Sequence, residues 1–193
     1  MSDATVYGPS ALATPANAVT VIRLLVAPFL FSLMVNEQAS WKVFVLWVIL
    51  AGTDGVDGWI ARRTGTTRSG AFLDPLADKV LVLGAMCSLA VVGRWSWFPV
   101  VVIGGRELGI SLYRVYWGRR GLAVPARASA KAKTLVQSLA VGFAVWPWFA
   151  DDRWIADWLL LTSVVLAVVS AAQYLLDGSR AATAMEPISG GAG

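Results

Sequence analysis

Long apolar runs separated by short polar turns dominate the chain. Six such blocks can be read, at 18–35, 41–60, 71–92, 97–116, 134–150 and 154–176. A helix needs about 20 residues to cross a hydrocarbon layer of about 30 Å, and most of the blocks have that length. Runs such as LLLTSVVLAVVSAAQYLL show no charged outer face, which a large soluble helical core would need. The pattern predicts an all-α integral membrane protein with six transmembrane helices. Trp41, Trp95, Trp97, Trp117, Trp146, Trp148 and Trp154 stand at block ends, where interfacial anchors belong.

Composition agrees with this pattern. Of 193 residues, 57% are hydrophobic and only 15% charged, too apolar for an ordinary soluble domain. The polar, Pro- and Gly-containing ends predict flexible tails at 1–16 and 178–193, around one six-helix transmembrane unit at 17–177. No cleavable signal peptide is expected, because no basic segment precedes the first block. The single cysteine, Cys87, excludes an intrachain disulfide and reads as packing.

Charge sets the orientation. Arg62, Arg63 and Arg68 lie between blocks two and three, and Arg119, Arg120, Arg127, Lys131 and Lys133 between blocks four and five. The opposite connections carry only Lys42, Arg94 and Arg153. The positive-inside rule places both basic connections and both termini in the cytoplasm. The formal charge of +4 is thus a topology signal, and no nucleic-acid partner is expected.

The candidate chemistry lies in DGVDGWIARRTGTTRSGAFLDPLADK. An aspartate near the bilayer centre costs about 2.5–3.5 kcal/mol on insertion scales, and this stretch has four. Asp54 and Asp57 are spaced i,i+3, and Asp74 and Asp78 i,i+4, so each pair shares a helix face. Helices two and three are joined by a short turn, so the pairs can meet. Hard divalent cations, Mg²⁺ or Mn²⁺, are the natural neutralisers of clustered carboxylates. Gly58, Ala61 and Gly70 leave room beside the aspartates, and Arg62 supplies a cation for phosphate oxygens. With no histidine in the chain, a carboxylate is the best candidate for a general base. The competing reading makes these aspartates interfacial residues paired with Arg62, Arg63 and Arg68.

The array Asp54-x2-Asp57-Gly58-x2-Ala61-Arg62, then Gly70-x3-Asp74-x3-Asp78, resembles the signature of the CDP-alcohol phosphotransferases. Seven residues separate Arg62 from Gly70, where the family usually has eight, so a shorter turn is expected. The resemblance implies a six-helix membrane fold, often homodimeric, with a polar, metal-binding cavity open to the cytoplasm. It implies two metal ions held by Asp54, Asp57 and Asp74, with Asp78 beside them as general base. Asp54, Gly58, Ala61, Arg62 and Gly70 would shape the CDP site. The cell membrane would hold the protein, with its active site on the cytoplasmic side.

More of the chain is similar to the branch of the family that makes phosphatidylglycerophosphate. Asn17-x2-Thr20-x2-Arg23, GAFLDPLADK, GGRELGISLYR and KAKT carry that likeness across 17–145. It implies CDP-diacylglycerol as donor and sn-glycerol 3-phosphate as acceptor. Arg106, Arg114, Lys131 and Lys133 are the candidate cations for the acceptor phosphate. Several also have a plainer reading. Arg106 would pair with Glu107 or with a partner on another helix, the lysines would anchor the helix at the interface, and Arg23 would snorkel. The alternatives for function are another acceptor (phosphatidylglycerol, giving cardiolipin, or inositol phosphate), a prenyltransferase, or a divalent-cation transporter.

Overall fold

A computed structural model describes the backbone of residues 15–64, 70–119 and 128–183, and the side chains of 17–53, 76–113, 115–116 and 132–174. Among the described residues there are six α-helices and no strand: α1 (Pro15–Glu37), α2 (Trp41–Thr64), α3 (Gly70–Val91), α4 (Trp97–Arg119), α5 (Ala128–Val145) and α6 (Trp154–Thr183). Each apolar block holds one α-helix, and the fifth also ends in a 3-10 turn. Of the segments read as tails, 15–16 open α1 and 178–183 continue α6 past the end of the apolar run, and the rest lies outside the described residues.

The helix ends follow local chemistry. Gln38, in left-handed conformation at φ 55°, ends α1, and Ser40 caps α2 by accepting the Val43 amide at 3.3 Å. Gly93, at φ 70°, closes α3. Its amide reaches the Ala90 carbonyl at 3.1 Å and the Arg94 amide reaches Leu89 at 2.9 Å, the paired bonds of a Schellman ending. The fifth block is split. Trp146 is extended because Pro147 follows it, so α5 stops at Val145 and Pro147–Phe149 form a 3-10 turn. Pro99 lies in the first turn of α4, where its missing N–H breaks no helical bond.

In the packing, α1 lies against α2 and α3, α5 against α6, α4 against α6 and α3, and both α2 and α3 also reach α5. Gly84 on α3 leaves space that the Phe31 ring of α1 fills. The core holds Leu30, Met34, Trp47, Leu89, Ile103 and Val141. The outer faces are also apolar. Leu25, Phe29, Phe98, Val101, Leu108 and Leu112 are all more than half exposed, while Asn17, Thr20, Arg23, Glu107, Lys133 and Gln137 are buried. An apolar outer face around a core that also holds charged side chains suits a bundle surrounded by lipid. Among the described residues two helices, at Asn17–Glu37 and Trp154–Tyr174, are long and apolar enough by themselves to cross a membrane.

Candidate functional site

Most of the buried polar residues, Ser88 and Ser163 excepted, lie towards one end of the bundle, where α1, α3 and α5 begin and α2, α4 and α6 finish. On α1, Asn17, Thr20 and Arg23 recur every three residues and are all buried, so they share the inward face. The Arg23 Nε donates to Thr53 Oγ1 at 3.2 Å, and the Thr53 hydroxyl donates back to the Leu50 carbonyl at 2.7 Å. Arg23 therefore does not snorkel outward. It reaches α2 at the residue that precedes Asp54.

The signature carboxylates stand on two continuous helices, α2 carrying Asp54 and Asp57 and α3 carrying Asp74 and Asp78. The helical spacing of each pair is thus realised in the backbone. The side chains of Asp54, Asp57, Gly58, Ala61, Arg62, Gly70 and Asp74 lie outside the described residues, as does the turn at 65–69. Among the described residues no three carboxylates, cysteines or histidines converge as a metal site. As chemistry, four carboxylates offer an all-oxygen donor set suited to Mg²⁺ or Mn²⁺. Asp78 is half-buried, and its charge acts on the Lys133 ammonium of α5.

Beside Asp78 lies a network of ion pairs centred on Glu107. Its Oε1 accepts from Arg106 Nη1 at 2.8 Å and from Lys133 Nζ, while Oε2 faces Lys79 Nζ at 3.6 Å. Lys79 also donates to Ser111 Oγ at 2.6 Å. Arg106 Nη2 donates to Ser170 Oγ, and its guanidinium lies 5.9 Å from the centre of the Tyr174 ring. The Lys133 side chain is 2% exposed, so it is no interfacial anchor. Arg106 does pair with Glu107, as its plainer reading held, but as one of three cations around one carboxylate. The side chains of Arg114 and Lys131 lie outside the described residues.

Lys79, Glu107, Ser111, Gln137 and Ser170 were not among the candidates from sequence. Glu107 carried a readable signal: it is the sole acidic residue of α4, and a carboxylate in an apolar helix requires cationic partners. Ser111 and Ser170 carried none, because only packing brings them to the cluster. An apolar groove of about 330 Å³ between α2 and α5 completes the surroundings. Trp47, Gly52, Gly142 and Trp146 line it, and Gly52 brings it within two residues of Asp54.

Residues 13–169 match the CDP-alcohol phosphatidyltransferase family. The chain is similar to a probable phosphatidylglycerophosphate synthase of Mycobacterium tuberculosis, at 35% identity over 91% of this chain and 86% of that protein. It is also similar to proteins of Haemophilus influenzae and Escherichia coli named CDP-diacylglycerol–glycerol-3-phosphate 3-phosphatidyltransferase. Identity is 33% over 81% of this chain and 88% of the first, and 34% over 81% and 90% for the second.

Proposed function

The chain belongs to the CDP-alcohol phosphatidyltransferase family, and on that premise we propose that it makes phosphatidylglycerophosphate and CMP from CDP-diacylglycerol and sn-glycerol 3-phosphate. It is an enzyme of phospholipid biosynthesis in a membrane. The observation that carries the choice of acceptor is the cluster of half-buried Lys79 with buried Arg106 and Lys133 around a single carboxylate. Such a cluster suits an acceptor that carries its own phosphate.

Asp78 is the general base. It takes the proton of the acceptor hydroxyl, whose oxygen attacks the phosphorus distal to cytidine as the bond from that phosphorus to CMP breaks. Lys133, paired with Glu107, would hold the acceptor's phosphate. Arg23, fastened to Thr53, steadies α1 beside the first aspartate pair. Asp54, Asp57, Asp74 and Asp78 would hold Mg²⁺ or Mn²⁺, which when bound neutralises charge on the diphosphate. Gly58, Ala61, Arg62 and Gly70 border the cytidine diphosphate. The groove between α2 and α5 offers an apolar path for an acyl chain of the donor.

All six helices span the bilayer in this reading, and the charged end faces the cytoplasm. The basic connections at 62–68 and 119–133 support that orientation. Purified protein given CDP-diacylglycerol and Mg²⁺ should release CMP with glycerol 3-phosphate, and little with phosphatidylglycerol or inositol phosphate. Release with inositol phosphate alone would remove the acceptor assignment and keep the family chemistry.

A further inference from the structure

We infer that the groove between α2 and α5 measures an acyl chain of the lipid donor, with Trp146 as its end stop and Gly142 keeping its middle open. This rests on the reading that the donor is CDP-diacylglycerol.

The two helices run antiparallel, and each lines the groove along its length, α2 from Phe44 to Gly52 and α5 from Ser138 to Trp146. At a rise of about 1.5 Å per residue, both stretches cover about 12 Å. The near end lies towards the signature carboxylates, since Gly52 stands two residues before Asp54 on α2. That continuity selects the donor as occupant. A chain esterified to a glycerol held beside the first aspartate pair enters at Gly52 and runs away from the charged end.

At the far end the groove is closed by rings. Trp146 stacks on Phe44 at 4.9 Å and on Trp148 at 5.7 Å, and it meets Phe149 at 5.2 Å and Phe143 at 5.6 Å. Pro147 holds the Trp146 backbone extended. A ring packed against four others on a fixed backbone does not swing aside. A chain that reaches Trp146 has to turn sideways, past the half-exposed Val48 on the rim.

The middle is kept open by a glycine. A Cβ at Gly142 would stand 3.4 Å from Trp47 Nε1 and 3.6 Å from its Cδ1. Trp47 is 2% exposed and forms the floor there. A larger residue at 142 would fill the groove one turn before Trp146, about 6 Å nearer the site. Bilayer tails are as apolar as the groove, so a seated chain gains close packing and not escape from water. The discrimination expected is therefore several-fold.

The test uses Trp146→Ala and Gly142→Leu in the full-length protein, with dilauroyl and distearoyl CDP-diacylglycerol as competing donors. Mg²⁺ and glycerol 3-phosphate are supplied, and the ratio of kcat/KM, long chain over short, is read. W146A should raise that ratio at least ~3-fold and G142L should lower it at least ~3-fold, while KM for glycerol 3-phosphate stays within ~2-fold. Opposite shifts separate a ruler from a loosened bundle, which would move both variants the same way. With acceptor omitted, the rise in melting point that each donor gives should follow the same order, because a ligand stabilises the fold it binds.

Ratios unchanged in both variants, or shifted in the same direction, would overturn the inference and leave the groove to bulk lipid. If one variant does not fold, the other decides alone. The melting comparison needs no acceptor and so keeps two failures apart. Donors that stabilise every variant without regard to chain length would overturn the ruler only. A wild type stabilised by neither donor would overturn the donor reading as well.

Discussion

Where α3 turns into α4 and α5 into α6, the bundle ties its charges into its own backbone; at the opposite end it gathers cations from three helices around one carboxylate. At the first end Arg94 donates to the carbonyls of Ala150 at 2.8 Å and Phe149 at 3.2 Å, and Arg153 donates to the Arg94 carbonyl. Trp95 Nε1 donates to Asp157 at 3.1 Å, in the first turn of α6, where a carboxylate also favours the helix N-terminus. Burial pulls the Arg94 guanidinium below its usual range, the charge of Arg153 adds to this, and Asp157 and Asp151 oppose it. Aromatic rings close the remaining gap. Trp41 meets Trp148 edge-on at 5.6 Å, and Phe44 stacks on Trp146 at 4.9 Å, joining the α1–α2 turn to the α5–α6 connection. At the other end Lys79, Arg106 and Lys133 all meet the carboxylate of Glu107. A clasp uses charge to hold three turns together, whereas a binding site keeps charge available for a ligand.

The largest effect expected at the charged end is from Asp78→Asn. Loss of a general base costs about 10²–10⁴-fold, so CMP release should fall by that factor while the protein stays folded. Undiminished release would remove Asp78 as the base. Lys133→Met should raise KM for glycerol 3-phosphate by roughly 10- to 100-fold, the equivalent of about 1.5–3 kcal/mol for a hydrogen bond to a charged group. KM for CDP-diacylglycerol should change little. A rise in both would mean that Lys133 supports the bundle and does not read the acceptor. Smallest in its effect on turnover is Arg94→Ala at the opposite end. It should lower the melting point in detergent, by about 1–3 kcal/mol of stability, and leave both KM values within about 2-fold. A large change in acceptor KM would break the division between the two ends.

Helices were legible in the chain because a membrane bundle displays its apolar residues in unbroken runs. Trp41 and Trp97 open helices where the blocks begin, and Pro147 marks the break in the fifth block. The 3-10 turn at Pro147–Phe149 was missed because an apolar run does not distinguish helix from turn. At the site, Asn17, Thr20, Arg23, Arg106 and Lys133 were singled out through the resemblance to the family, and all five lie at the charged end. Their partners were not. Arg23 reaches Thr53 across 30 positions, and Arg106 reaches Ser170 across 64. A serine or threonine in an apolar helix is too common to flag, and only the packing of α4 on α6 gives Ser170 its role. Glu107 lay between the two, visible as a charge but recorded only as the neighbour of Arg106.

The central claim is that the charged end reads a phosphate on the acceptor. CMP release from CDP-diacylglycerol with glycerol 3-phosphate, set beside release with glycerol under the same conditions, tests it most directly. The two molecules offer the same hydroxyl chemistry and differ by the phosphate that Lys79, Arg106 and Lys133 would hold. Release with glycerol 3-phosphate and almost none with glycerol is the predicted result. Comparable release with both would contradict the claim.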